Sequence, residues 1–125
     1  LQKSEYLGQG NNIIATTKGV YNYNGEQLGG DALVGLTTAD ILAISDNFIV
    51  TTKGVYNLDN HLVGGSVLIG LTLDDIISVQ NNIIATTKGV YNYNGEQLGG
   101  TTLVGINSDQ VYGVTNNFIV TAFGT

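Results

Sequence analysis

The chain has 125 residues, ten Asp and Glu against four Lys and Arg, a net charge of −6, and no cysteine. That balance excludes the cationic footprint that nucleic acid or an anionic membrane surface would need. The missing Cys removes disulfides, thiolate nucleophiles and Cys-ligated metal. Charged residues make up only 11%, so the surface has to be built from Asn, Thr, Gln, Ser and Gly, a composition that favours an extracellular or cell-surface setting. No apolar run approaches the ~18 residues of a membrane span. No signal peptide is legible, and an opening Leu fits a mature product, a trimmed chain or a fragment.

The first organising feature met along the chain is Asn11–Gly30, which returns letter for letter at Asn81–Gly100. A looser copy fills Asp46–Gly65 and a shorter one Asn116–Thr125, so the copies start at 11, 46, 81 and 116, a period of 35 residues. Such a period marks one supersecondary unit repeated in a stack or array. The expected layout is a single repeat domain over 1–125: an opening segment 1–10, repeats 11–45, 46–80 and 81–115, and a partial repeat 116–125.

Within the unit, Glu5–Gly10 aligns with Asp40–Ser45, a short and mostly apolar first strand. Asp46-Asn47 is a turn candidate, followed by Phe48–Thr52, rich in β-branched residues. Lys53-Gly54 turns into a third strand, Val55–Leu58. Asp59-Asn60 turns again, and its counterparts Asn24-Gly25 and Asn94-Gly95 are the strongest short-range hairpin signal. His61-Leu62-Val63, a bend or bulge at Gly64-Gly65 and Ser66–Leu71 read as a fourth strand, with Gly35, Gly70 and Gly105 interrupting it at one position. Thr72–Asp75 reads as the loop to the next unit. The pattern predicts a four-stranded antiparallel meander, apolar on both faces, whose turns rely on Gly and Asn because Pro is absent.

The string IVTTKGVYNLDNHLVGG resembles a β-propeller blade of the quinoprotein or WD type, though without the Trp landmarks of those families. A weaker resemblance links Thr52-Lys53-Gly54 and Ser66–Asp75 to the C-terminal repeats of the gyrase A subunit. The basic residues with which that family wraps DNA are missing here. These resemblances imply an all-β, propeller-type array of about three and a half blades, each blade a four-stranded antiparallel meander. A three-fold β-prism or trefoil is the rival architecture. In this frame the chain begins with a first strand and ends with a first and second (Gln110–Ala122). The expectation is that copies of the chain complete a ring or fibre, since an open strand edge recruits strands.

Lys18, Lys53 and Lys88 share the turn before the third strand, with Tyr21, Tyr56 and Tyr91 just beyond. Solubilising turns and packing tyrosines are the plain reading; a repeated lectin-like glycan contact is the sharper one. Phe123 stands where the other copies carry Lys, so with Tyr6 and Phe118 it is a candidate for self-association. Asp40, Asp74, Asp75 and Asp109 read as solvating strand starts, without the dense spacing of a Ca²⁺ loop. Asn12, Asn47, Asn82 and Asn117 suit turns. His61 occurs in one repeat only and has no nucleophile beside it. The expected function is a non-enzymatic structural module with no cofactor and no metal, whose partners are copies of itself and neither nucleic acid nor membrane. The alternative is a multivalent, lectin-like glycan-binding module.

Overall fold

A computed structural model describes residues 2–125. It is all-β, with antiparallel sheets in chain order. The first sheet is β1 (Tyr6–Gln9), β2 (Ile13–Thr16), β3 (Gly19–Asn22) and β4 (Gln27–Leu28); the second is β5 (Ile41–Ile44), β6 (Phe48–Thr51), β7 (Gly54–Asn57) and β8 (Leu62–Val63). The third is β9 (Ile76–Val79), β10 (Ile83–Thr86), β11 (Gly89–Asn92) and β12 (Gln97–Leu98), and the fourth is the pair β13 (Val111–Val114) and β14 (Ile119–Thr121). Each sheet is a simple meander, as the turn signals predict, and no α-helix occurs among the described residues.

The registers repeat. Ile14 pairs with Tyr21, Ile49 with Tyr56 and Ile84 with Tyr91. Because side chains alternate across a strand, each sheet has two distinct apolar faces. Ile13, Ala15, Val20 and Leu28 line the front of the first sheet, and against them pack Ile49, Tyr56 and Leu58 from the rear of the second. Phe48, Val50, Val55 and Val63 then meet Ile84, Tyr91 and Tyr93. Ile83, Ala85, Val90 and Leu98 meet Ile119, Val111 and Val114. The core is thus three layers, each lying between consecutive sheets and built from two repeats. Each fully buried Leu, Ile or Phe contributes roughly 1.5–3 kcal/mol relative to exposure.

The fourth strand is far shorter than the sequence suggests. β8 ends at Val63, and Gly65–Leu68 forms a 3-10 turn instead of continuing the strand. Gly64 and Gly65 take successive left-handed conformations, φ 78° and 55°. This reverses the chain so that Leu68 folds under Gly64, where a Cβ would sit 2.5 Å from Leu68 Cγ. Leu68 is buried there, as are Leu33 and Leu103 at the same place in the other repeats. Gly35, Gly70 and Gly105 therefore lie beyond the strands; their N–H groups donate to the carbonyls of Thr17, Thr52 and Thr87 (2.9, 2.8 and 2.6 Å). The segment read as a loop, Thr72–Asp75, likewise holds a 3-10 turn over Leu73–Asp75.

Candidate functional site

Three repeated side chains fix the geometry on which any site is built. Thr16, Thr51, Thr86 and Thr121 are buried. Each hydroxyl donates to the carbonyl three residues on, Gly19, Gly54, Gly89 or Gly124, at 2.8–3.0 Å. Each also accepts the N–H two residues on, from Lys18, Lys53, Lys88 or Phe123, at 3.0–3.1 Å. The turn after β14 is therefore set as in the other repeats, although Phe123 replaces Lys.

Asn22, Asn57 and Asn92 end the third strands. The Oδ1 of Asn57 accepts the N–H groups of Asp59 (3.0 Å) and His61 (2.9 Å), pinning the hairpin turn. Its Nδ2 crosses to the next sheet and donates to the carbonyl of Tyr93 at 2.8 Å. Asn22 does the same toward Leu58, at 3.0 Å. The Nδ2 of Asn92 instead donates to Glu96 Oε1, at 2.9 Å. This tether is not singled out by turn chemistry, which draws attention to the Asn-Gly pair beyond it. The available signal is that this Asn recurs at the 35-residue period in all three copies of the strand.

Two of the four acids, Asp40 and Asp75, have a more specific task than solvating strand starts. Asp75 Oδ1 accepts the Thr87 hydroxyl at 2.6 Å, and its Oδ2 accepts the N–H of Thr72 at 3.0 Å. Asp40 does the same with Thr52 (2.6 Å) and Thr37 (2.9 Å). Each carboxylate caps the 3-10 turn before a first strand and ties it to the next hairpin. The Thr hydroxyl, then the backbone N–H, hold both groups below the usual carboxylate range. The one ion pair among the described residues joins Lys18 Nζ to Glu5 Oε2 at 3.5 Å.

Of the residues singled out as binding candidates, Lys18, Lys53 and Lys88 are exposed at their turns. Two of the three tyrosines are taken up by packing. Tyr91 is buried and Tyr56 half-buried, both packed between sheets, and each ring lies over the Gly two residues before it. Tyr21 holds the same place on the rear of the first sheet, where no other sheet covers it, and is half-buried. No hydrogen bond joins a lysine to a tyrosine among these pairs.

The self-association candidates divide. Tyr6 is exposed on β1, its hydroxyl donating to Gln9 Oε1 at 3.3 Å. Phe118 and Phe123 come together on one cavity of about 500 Å³, shared with Ile83, Leu98, Leu103 and Ile119. Phe118 is 62% exposed, although Phe48 at the same place in the second repeat is fully buried. At the opposite end of the stack, Tyr23 is 68% exposed, whereas its counterpart Tyr93 packs against the second sheet. Tyr23 is a site residue that sequence reading passed over, because its partner surface is visible only once the faces are assigned. Among the described residues no three of His, Cys, Asp and Glu gather as metal ligands. No protein-family model matches the chain, and no curated protein or solved structure is significantly similar to it.

Proposed function

We propose that the chain is a non-enzymatic structural module whose sheets are propeller-type blades and whose copies stack end to end into a ring or fibre. One observation carries the reading. The front residue Phe118 and the rear residue Tyr23 are exposed at the two ends of the stack, while the same two positions meet inside it as Phe48 and Tyr93. The front of one copy is therefore chemically matched to the rear of another. Two different patches meeting head to tail make a heterologous contact, which closes into a ring or runs on as a filament.

Light scattering on the purified chain tests the proposal. The expected mass is that of several chains, falling toward one chain in Phe118→Lys and in Tyr23→Lys. A wild-type chain that remains monomeric at concentrations well above ~100 µM, where a weak contact of this kind would already show, overturns it.

A further inference from the structure

The repeats alternate in a way that the 35-residue period conceals. The second strands read Ile13-Ile14-Ala15, Phe48-Ile49-Val50, Ile83-Ile84-Ala85 and Phe118-Ile119-Val120, so two kinds of front take turns. The residue two beyond each third-strand tyrosine alternates as well, as Tyr23, Leu58 and Tyr93. That residue packs from the rear onto the sheet before it, so the first two core layers are of different kinds.

Between the first and second sheets, a front of Ile13, Ala15 and Leu28 receives Leu58. In the same hairpin turn, Asn60 Oδ1 accepts the N–H of Gly29 at 2.7 Å. Between the second and third sheets, a front of Phe48, Val50 and Val63 receives Tyr93. Here the rear residue itself donates: the Tyr93 hydroxyl reaches back to Asp59 Oδ2 at 3.0 Å. Gly95 stands at the place of Asn60 and has no side chain to offer; a Cβ there would lie 3.8 Å from the carbonyl oxygen of Leu62 on the second sheet. Each kind of rear thus makes a hydrogen bond for which the other kind lacks the atoms. The adjacent turn residues Asp59 and Asn60 serve opposite neighbours, one the third sheet and the other the first. The amide tethers of Asn22 and Asn57 are common to both layers and do not discriminate.

The geometry points to a recognition rule between sheets. A front of the Phe48 and Val50 kind, with Asp59 in its turn, takes a rear carrying Tyr-Asn-Tyr. A front of the Ile13 and Ala15 kind takes a rear carrying Tyr-Asn-Leu with Asn60 behind it. A leucine on the Phe48 front forfeits the ring pair and leaves Asp59 without its donor. A Tyr-Asn-Tyr rear with its Gly on the Ile13 front leaves the Gly29 N–H without Asn60. Specificity is the difference between what the right pairing makes and what the wrong one loses. The partner that a Phe48 front fits is therefore a Tyr-Asn-Tyr sheet, in this chain or in another copy. The recognition unit of the array is two repeats, the spacing at which Asn11–Gly30 recurs as Asn81–Gly100. The rule is carried by contacts inside the chain and does not rest on association between copies.

The test exchanges interface kinds within the intact chain carrying Tyr23→Lys, which removes the stacking patch, with urea unfolding as the readout. Leu58→Tyr with Asn60→Gly gives the second sheet the other rear and should lower the midpoint. Adding Ile13→Phe, Ala15→Val, Leu28→Val and Asn24→Asp converts the first front to match. It should recover roughly tenfold in the folding equilibrium, about 1.4 kcal/mol. Crowding alone predicts the reverse, since the added changes put a phenylalanine where an isoleucine stood. The second layer gives an independent cycle in the opposite sense. Its rear change is Tyr93→Leu with Gly95→Asn, and its front change is Phe48→Ile, Val50→Ala, Val63→Leu and Asp59→Asn. Both together should cost roughly tenfold less than the product of the two separate losses. Should the first exchange fail to fold, the second cycle decides. Losses that multiply to within about twofold there, or a further fall on converting the first front, would overturn the rule. Such a failure with the wild-type chain still oligomeric would leave the stacking reading standing.

Discussion

The ring of Phe48, on the front of the second sheet, meets the ring of Tyr93 on the rear of the third, with centroids 5.8 Å apart and planes tilted by 53°. Tilted pairs of this kind place the positive edge of one ring toward the negative face of the other. Phe48 is fully buried, so Phe48→Ala should destabilise the chain by about 3–5 kcal/mol. The equivalent exposed change, Phe118→Ala, should cost no more than about 0.5 kcal/mol in a dilute monomer. Urea denaturation of both variants, with mass measured alongside, separates a residue that holds the fold from one that acts only between copies.

Tyr93 also carries a pH signature. Burial, and then the hydrogen bond from its hydroxyl to Asp59 Oδ2 at 3.0 Å, push its pKa from 10.0 up to about 12. The folded state therefore holds this proton more tightly than the unfolded chain does. The resulting stability is fully present below pH 10 and is lost as pH rises toward 12. Tyr93→Phe should flatten that alkaline limb in pH-dependent unfolding. Asp59→Asn should bring the tyrosinate absorbance of Tyr93 in at lower pH, because the repelling carboxylate is gone.

Asn57 is fully buried and serves two sheets at once. Asn57→Ala leaves two backbone N–H groups and one carbonyl without their partner, each worth about 1–3 kcal/mol where water cannot replace it. The expected loss is on the order of 3 kcal/mol, allowing for partial relaxation. Asn92→Ala, which breaks no bond to another sheet, should cost about 1 kcal/mol. Thermal unfolding of the two variants under one buffer gives the comparison directly.

At the acid end Glu5 is held low chiefly by the N–H of Gln2, and with it act Asp40 and Asp75. The two aspartates are held below 3.8 by hydrogen bonds that only the folded chain makes, first from Thr52 or Thr87 and then from the backbone of Thr37 or Thr72. Their contribution is complete above that value and disappears as pH falls through the lowered one. Asp75→Asn should keep the turn, as Gln110 does before the fourth sheet by accepting the N–H of Asn107 at 3.0 Å. It should also remove part of the acid dependence. Unfolding midpoints measured from neutral pH down to about pH 2 check both statements, and an unchanged acid limb would refute the assignment.

Much of the fold can be read from the residues, and the reason is local. Asn24-Gly25 and Asn94-Gly95 force hairpins, and the β-branched run Phe48–Thr51 has nowhere to go but a strand. The fourth strand misleads because Ser66-Val67-Leu68-Ile69 has strand composition. What bends it is the conformational demand of Gly64 and Gly65 together with the burial of Leu68, a tertiary effect that alternation does not encode. The site is harder to read for a similar reason. Tyr21, Tyr56 and Tyr91 are the same residue in the same register, yet one is left without a covering sheet and the others are packed between sheets. Exposure here depends on which neighbour is present, and neighbours are not a property of the repeat itself.

Because every core layer is shared between two sheets, no sheet owns a hydrophobic core. A single 35-residue unit cut from the chain would retain its turns and lose both of its apolar contacts. The smallest cooperative body is a pair of neighbouring sheets, and each further repeat adds one unit of intrinsic stability and one interface. Exchange of amide protons would accordingly be slowest in β6, β7, β10 and β11, flanked by sheets on both sides, and would quicken toward β1 and β14, so that the chain comes apart from its ends inward.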